Sequence, residues 1–219
     1  MTARATTLVG STIGKKAIMA ITGIILIGFV LGHMIGNLQL FGGPEKLNAY
    51  AKLLRTSMPL LWTVRLVLLA SVGLHILTAY QLWSANNAAR PVGYRLRADR
   101  KTTYAARTMV WSGPILLFFI LYHVAHLTLG YGPGTFDAHN VYGNVVQGFQ
   151  VWYVSLFYIV AMLALGYHMN HGIWSLFQSM GWNHTKYNAA RRRLATAITL
   201  VVVIGNISMP VAVLTGLVK

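Results

Sequence analysis

Eight histidines are the residues in this chain best suited to bind a metal, and six of them lie in stretches without Lys, Arg, Asp or Glu. An ionisable side chain inside an apolar segment is costly and by default marks function. One such histidine could simply hydrogen-bond to a neighbouring helix, but six over four segments indicate a shared purpose. Imidazole is an axial ligand of haem iron. The six are His33, His75, His123, His126, His168 and His171.

The segments that carry these histidines predict an integral membrane protein. Of 219 residues, 56% are hydrophobic and only 3 are Asp or Glu, far too little charge to cover a soluble domain. A membrane helix needs about 20 mostly apolar residues. We predict an all-α single membrane domain over residues 1–219, with a short interfacial helix within 44–55 and a loop over 137–150. The five transmembrane helices are predicted near 16–40, 60–85, 107–130, 150–178 and 194–217.

The distribution of basic residues predicts the orientation of the chain. Thirteen of the 18 Lys and Arg residues lie at the N-terminus or in the loops after the second and fourth spans. By the positive-inside rule this places the N-terminus in the cytoplasm and the C-terminus outside. The same asymmetry accounts for the net charge of +15 without nucleic acid. With no cysteine, disulfides, thiolate haem ligation and iron–sulfur clusters held by this chain are excluded.

Depth in the membrane groups four histidines into two pairs. At 1.5 Å per residue, His33 and His123 lie about 24–25 Å from the cytoplasmic ends of their spans. His75 and His168 lie about 14 Å from theirs, so the two levels are about 10 Å apart. Two histidines at one depth on different helices suit a bis-histidine b-type haem. Because His126 and His171 each lie one turn from a paired histidine, depth leaves them as alternative ligands.

Short motifs in the predicted order of helices resemble those of a known family. The chain resembles the single-chain, five-helix dihaem cytochrome b anchor of succinate:quinone oxidoreductases, which include succinate dehydrogenase and fumarate reductase. The resemblance covers nearly the whole chain. The motifs are Gly32-His-Met-Ile-Gly-Asn37, Gly43-Pro-Glu-Lys-Leu-Asn48, His75 before Asn86-Asn87, Tyr122-His-Val124 and His168-Met-Asn-His-Gly-Ile-Trp-Ser175.

The resemblance implies roles for the histidines and for other subunits. It implies His33 and His123 as ligands of an outer haem b, and His75 and His168 as ligands of an inner one. Electrons from succinate would come from a flavoprotein subunit that carries FAD, through an iron–sulfur subunit, and pass to menaquinone or ubiquinone. The chain would be a subunit of a respiratory-chain and tricarboxylic acid cycle enzyme without succinate chemistry of its own. It would be multi-pass in a bacterial inner (cytoplasmic) membrane.

Polar side chains near each predicted haem suggest contacts for quinone and propionates. A quinone needs an apolar slot with a few polar groups. A carboxylate at Glu45 also suits the first turn of the interfacial helix, and an interfacial Trp also suits an aromatic belt. The quinone candidates are Asn37, Gln39, Glu45, Asn48 and His126 outside, and Trp83, Ser84 and His171 inside. The propionate candidates are Arg65 outside, and Lys15, Lys16 and Arg107 inside.

Three features leave alternatives. Gly28, Gly32 and Gly36 share a helix face, which suits either close helix packing or room for a flat cofactor. The basic cytoplasmic loops could dock the iron–sulfur subunit or serve orientation alone. Another function is the cytochrome b subunit of a formate dehydrogenase or hydrogenase, and a third is a haem-free proton transporter. No internal repeat is visible in the sequence, which counts against the transporter.

Overall fold

The described part of the chain consists of helices joined by short connections. The computed structural model describes Thr7 and residues 10–89 and 103–219, and it has no strand in these residues. Short 3-10 helices cover Leu38–Gly42 and Thr185–Tyr187. The α-helices are α1 (Thr12–Asn37), α2 (Pro44–Leu54), α3 (Met58–Ala88), α4 (Tyr104–Leu127), α5 (Val141–Gln150), α6 (Trp152–Ser179) and α7 (Asn188–Leu214).

Five of the helices, α1, α3, α4, α6 and α7, are long and apolar enough to cross a membrane, which confirms the predicted all-α five-helix fold. Even α4, with 24 residues, measures about 36 Å. The observed helices extend beyond the apolar stretches. α7 starts at Asn188 and contains Arg191 to Arg193, because arginine ends an apolar stretch but is a good helix former. We call the membrane side on which α1 begins the N side and the opposite side the C side.

Two short helices lie at the C side. The short helix predicted within 44–55 is observed as α2, which has Pro44 in its first turn. The prediction of a loop over 137–150 was wrong, because its second part forms α5. Asn140 caps this helix by accepting a hydrogen bond from the backbone of Gly143 at 3.0 Å. Val145, Val146 and Phe149 then bury its apolar face, and this burial offsets the low helix propensity of its glycines.

The core of the bundle is built around α6. This helix packs against α4 on one side and α7 on the other, and it also contacts α1, which packs against α3. A C-side cluster includes Leu40, Leu47, Phe149 and Tyr158. An N-side cluster between α6 and α7 includes Ile173 and Val202. α3 is the least buried of the five spans, so its attachment depends on α1.

Arg191 attaches the connection after α6 to α7. Its side chain is 6% exposed. Its guanidinium donates to the carbonyls of Trp182 at 2.5 Å and His184 at 3.0 Å. It also donates to the side chains of Asn183, at 2.9 Å, and Asn188. A planar fork of donors is needed to reach so many acceptors at once.

Replacing Arg191 with lysine should therefore destabilise the protein. The lysine ammonium lacks the fork geometry, and the loss of a charged hydrogen bond should cost about 2 kcal/mol, which lowers Tm by roughly 4–8 °C. Arg193→Lys is the matched control, since Arg193 is exposed on the same helix. Thermal unfolding in detergent measures both, and equal midpoints would show that the buried fork contributes nothing.

Candidate haem and quinone sites

His75 of α3 and His168 of α6 form a pair in the N-side half of the bundle. Their ring centroids are 6.3 Å apart and their planes are inclined by 55°. Hydroxyl groups from other helices contact both rings. The Thr22 hydroxyl of α1 lies 3.1 Å from Nδ1 of His75, and the Ser112 hydroxyl of α4 lies 3.1 Å from Nδ1 of His168.

Each hydroxyl carries a single hydrogen, and a carbonyl of its own helix can accept it. The Thr22 hydroxyl lies 2.8 Å from the carbonyl of Ile18, and the Ser112 hydroxyl lies 3.4 Å from the carbonyl of Met109. When the hydroxyl donates in this way, its oxygen can accept the Nδ1–H of its histidine. The lone pair of each imidazole is then on Nε2, which is the arrangement that second-shell partners impose on metal-binding histidines.

His33 of α1 and His123 of α4 form a second pair in the C-side half. Their ring centroids are 5.7 Å apart, with planes at 89°. Phe29 stacks on His33 at 5.2 Å, and Phe119 stacks on His123 at 5.6 Å. Each Phe comes one turn before its histidine, where side chains on one helix meet. The Tyr158 hydroxyl of α6 lies 3.4 Å from Nδ1 of His123.

The geometry of both pairs fits a metal held between two imidazoles. A metal–imidazole bond is about 2 Å long, and two such bonds in line place the ring centroids about 6 Å apart. The observed separations are 5.7 Å and 6.3 Å. No group of three or more metal-binding side chains occurs among the described residues. The described histidines therefore offer two ligands to each metal, and a bis-histidine haem requires two.

The two pairs are farther apart than their depths in the sequence suggested. On α1, the contact with His75 is made by Thr22, eleven residues before His33. On α4, the contact with His168 is made by Ser112, eleven residues before His123. Eleven residues rise about 16 Å, compared with the expected 10 Å. The sequence estimate was too small because it assumed that all spans end at one level.

A repeated pattern on α1 and α4, which the sequence analysis missed, positions both pairs. Each helix carries a hydroxyl residue, then Phe seven residues later, then His four residues after that. Eleven residues are close to three turns, so the hydroxyl and the histidine lie on one helix face. The two sets are Thr22, Phe29, His33 and Ser112, Phe119, His123.

Comparison with known families identifies the chain. The family model of the succinate dehydrogenase/fumarate reductase transmembrane subunit matches residues 86–207, more than half of the 219 residues. The chain belongs to this family. No curated protein and no solved structure matches it.

His126 of this transmembrane subunit shares the Tyr158 hydroxyl with the paired His123. It is 3% exposed, and its Nδ1 lies 3.0 Å from the Tyr158 hydroxyl. Gly132 and Gly148 press against its ring, and a Cβ on Gly148 would lie 2.5 Å from its Nε2. His126 also lines a small cavity of about 10 Å³ beside Pro133 and Asn144, and its contact with a quinone stays a prediction.

His171 of the transmembrane subunit lies in a cavity on the N side. The cavity has a volume of about 130 Å³ and lies between the start of α4 and the helices α6 and α7. The guanidinium of Arg192 lies 4.2 Å from the ring of Trp174 at its wall. Asn170 donates to the Thr196 hydroxyl at 3.2 Å. Apolar and polar groups combine at its wall, and its volume is below the ~300–1,000 Å³ of typical small-molecule sites. The lining residues are Thr103, Asn170, His171, Trp174, Arg192, Ala195 and Thr196.

The other predicted quinone residues are spread over both sides. The Asn37 amide donates to the carbonyl of His33 at 2.9 Å. Asn48 joins α2 to α5, because its side chain bonds Asn140 at 3.2 Å and the backbone of Tyr142 at 3.0 Å. The remaining four have exposed side chains outside any described cavity. They are Gln39, Glu45, Trp83 and Ser84.

The predicted propionate residues lie near the levels of the two pairs. Arg65 of α3 precedes His75 by ten residues, or about 15 Å, so it is level with the C-side pair. Its guanidinium lies over the ring of Trp62 at 5.1 Å. Lys15 and Lys16 lie at the start of α1, N-side of Thr22. Arg107 lies in the first turns of α4, N-side of Ser112.

The glycines of α1 do not form one packing groove. A Cβ on Gly36 would collide with the ring of Tyr50 from α2, but no heavy atom lies within 4 Å of a Cβ on Gly28 or Gly32. The packing interpretation therefore holds for Gly36 alone.

Gly148→Ala should destabilise the transmembrane subunit, because the added methyl group would push His126 off the Tyr158 hydroxyl. Overpacking of this kind costs about 1–3 kcal/mol. Gly28→Ala is the control, since its methyl group meets open space and improves helix propensity. Thermal unfolding should show a lower midpoint than wild type for Gly148→Ala and no decrease for Gly28→Ala. If Gly148→Ala were as stable as the control, Gly148 would not pack tightly against the ring of His126.

Proposed function

We propose that this chain is the haem-carrying membrane anchor of a succinate:quinone oxidoreductase. In this function it passes electrons from an iron–sulfur subunit through two bis-histidine haems b to or from a membrane quinone. Membership of the transmembrane-subunit family supports the assignment to succinate dehydrogenase or fumarate reductase. It also argues against the formate dehydrogenase and hydrogenase alternatives. We further propose that the multi-pass chain resides in a bacterial inner (cytoplasmic) membrane.

The observation that carries the haem proposal is the pairing of four histidines from four spans. Each pair has the ring separation of two imidazoles on one metal, at 5.7 Å and 6.3 Å. A chain that used histidines only to join helices would need no such pairs at two levels. A histidine proton relay would not require hydroxyl groups that hold Nδ1 and leave Nε2 of His75 and His168 for a metal.

The residues of the chain would hold and orient the haems. His33 and His123 would bind the C-side haem, and His75 and His168 the N-side haem. When bound, a haem supplies reversible one-electron transfer. Arg65 would neutralise propionates of the C-side haem. Lys15, Lys16 and Arg107 would do so at the N side, where cations reach carboxylates by charge-assisted hydrogen bonds.

Haem quantitation tests this proposal. The purified complex should contain two haems b per chain by pyridine haemochrome analysis. His75→Ala or His168→Ala should remove the N-side haem and leave one haem per chain, because each removes an axial ligand. His184→Ala is the matched control, since His184 lies in an exposed connection. A complex without haem b in the pyridine haemochrome spectrum would contradict the haem proposal and favour the proton transporter.

The basic N side offers a surface for the iron–sulfur subunit, which in turn carries the flavoprotein subunit. Lys186, Arg192 and Arg193 are exposed there. Arg191 is not available, because its guanidinium is engaged by the connection after α6. The predicted basic residues from Arg90 to Lys101 lie outside the described residues. The exposed cations support docking by charge complementarity.

We place the quinone in the cavity beside His171. A quinone accepts hydrogen bonds at its two carbonyl oxygens, and imidazole and the Arg192 guanidinium are donors of suitable type. Trp174 supplies an aromatic wall. This position on the N side lies within one turn of His168 on the same helix. Among the eight quinone candidates, His171 thus has the most support.

Kinetics of the purified complex test the quinone position. His171→Leu should raise KM for the quinone about tenfold, because one hydrogen bond worth about 1.4 kcal/mol is lost. The haem content should stay at two per chain. His184→Leu is the control, since His184 lies in an exposed connection and does not line this cavity. An unchanged KM in His171→Leu would move the quinone site elsewhere.

A further inference from the structure

Tyr158 and His126 form a buried polar pair in the C-side half of the bundle. The Tyr158 side chain is 6% exposed and that of His126 is 3% exposed. The Tyr158 hydroxyl lies between two imidazoles, 3.0 Å from Nδ1 of His126 and 3.4 Å from Nδ1 of His123. Burying two polar side chains in a membrane helix pair is costly unless their hydrogen bonds are satisfied. Their mutual arrangement therefore needs a physical reason.

The N-side pair supplies the comparison. There, Thr22 and Ser112 can accept the Nδ1–H of a histidine, because each can donate its own hydrogen to a carbonyl of its own helix. A tyrosine hydroxyl is too far from its own backbone for such a bond, so Tyr158 needs another acceptor. Nδ1 of His126 lies at hydrogen-bonding distance and provides one.

Counting hydrogens sets the direction of this chain of bonds. If His123 binds a metal through Nε2, its Nδ1 carries a hydrogen and can only donate. Tyr158 must then accept from His123, and its single hydrogen goes to Nδ1 of His126. The hydrogen of His126 is therefore on Nε2, on the side of Gly148.

The surroundings hold the two side chains in this arrangement. Gly132 and Gly148 close against the ring of His126. Phe149 lies edge-on to the Tyr158 ring with centroids 4.9 Å apart, and Phe119 does the same at 5.2 Å. These ring contacts hold Tyr158, and the two glycines hold the ring of His126.

We propose that Tyr158 is a positioning residue of the C-side haem, which accepts the Nδ1–H of His123 while His126 holds the Tyr158 hydroxyl in the accepting orientation. The inference rests on the proposed haem function. An acceptor on Nδ1 makes the imidazole a stronger electron donor, which stabilises ferric iron and lowers the reduction potential. His126 is thus present because a tyrosine, unlike Thr22 or Ser112, needs a partner to take its hydrogen.

Potentiometric titration of the purified holo-complex tests the role of Tyr158. Tyr158→Phe should raise the midpoint potential of the C-side haem alone. Loss of one outer-shell partner should change the oxidised-to-reduced ratio about tenfold, or about 59 mV for one electron. Ser112→Ala should shift the N-side haem instead. Tyr122→Phe is the matched control, because its ring also neighbours Tyr158 and His126 at 6.1 Å and 5.5 Å.

A second pair of variants tests His126 and guards against loss of the haem in Tyr158→Phe. His126→Asn keeps an acceptor near the position of Nδ1 and should retain the wild-type potential. His126→Leu removes it and should shift the potential and the EPR signal of the low-spin ferric C-side haem. Equal potentials in these two variants would overturn the proposal, as would a Tyr158→Phe shift no larger than that of Tyr122→Phe. A wild-type complex without haem would instead refute the proposed function.

Discussion

The hydrogen bond between a partly buried imidazole and a hydroxyl of another helix is the contact on which this bundle depends. A bilayer offers no water to satisfy a polar group, so an unpartnered ring nitrogen would cost several kcal/mol. Thr22 meets this need for His75 across α1 and α3, and Ser112 meets it for His168 across α4 and α6. Each bond joins two helices, and a hydroxyl that accepts from Nδ1 leaves the lone pair of the ring on Nε2.

The same three-residue pattern on α1 and α4 explains why two similar sites occur. Each helix supplies a hydroxyl to the N-side pair and, three turns later, a histidine to the C-side pair. The ring of a Phe one turn before that histidine stacks on it. Both helices rise in the same direction, so one pattern used twice places matching groups at two levels. α3 has little buried surface of its own, and its contact with Thr22 therefore helps to hold it in place.

The two halves of the pattern differ at the C side, and this difference accounts for His126. Ninety residues separate corresponding positions on α1 and α4, and the position on α1 that corresponds to His126 is Gly36. There the ring of Tyr50 from α2 packs against the glycine. On α4 the large side chain and the glycine have exchanged places. His126 belongs to the spanning helix, and it packs against Gly148 of the short helix α5. Only the second arrangement brings a ring nitrogen to the hydroxyl of Tyr158.

The sequence by itself determined the five spans and the two levels of histidines, because apolar length and a fixed rise per residue suffice for both. It paired His33 with His123 and His75 with His168, and the structure brings the same residues together. It did not reveal α5, because Gly143 and Gly148 have poor helix propensity and only packing against the bundle offsets it.

The sequence also could not decide by depth between His126 and His123, or between His171 and His168, as haem ligands. Three residues separate each from a paired histidine, but on a helix that spacing turns the side chain by about 60° toward another neighbour. Only the tertiary structure, which decides what that neighbour is, directs His126 to Tyr158 and His171 to a cavity between α6 and α7.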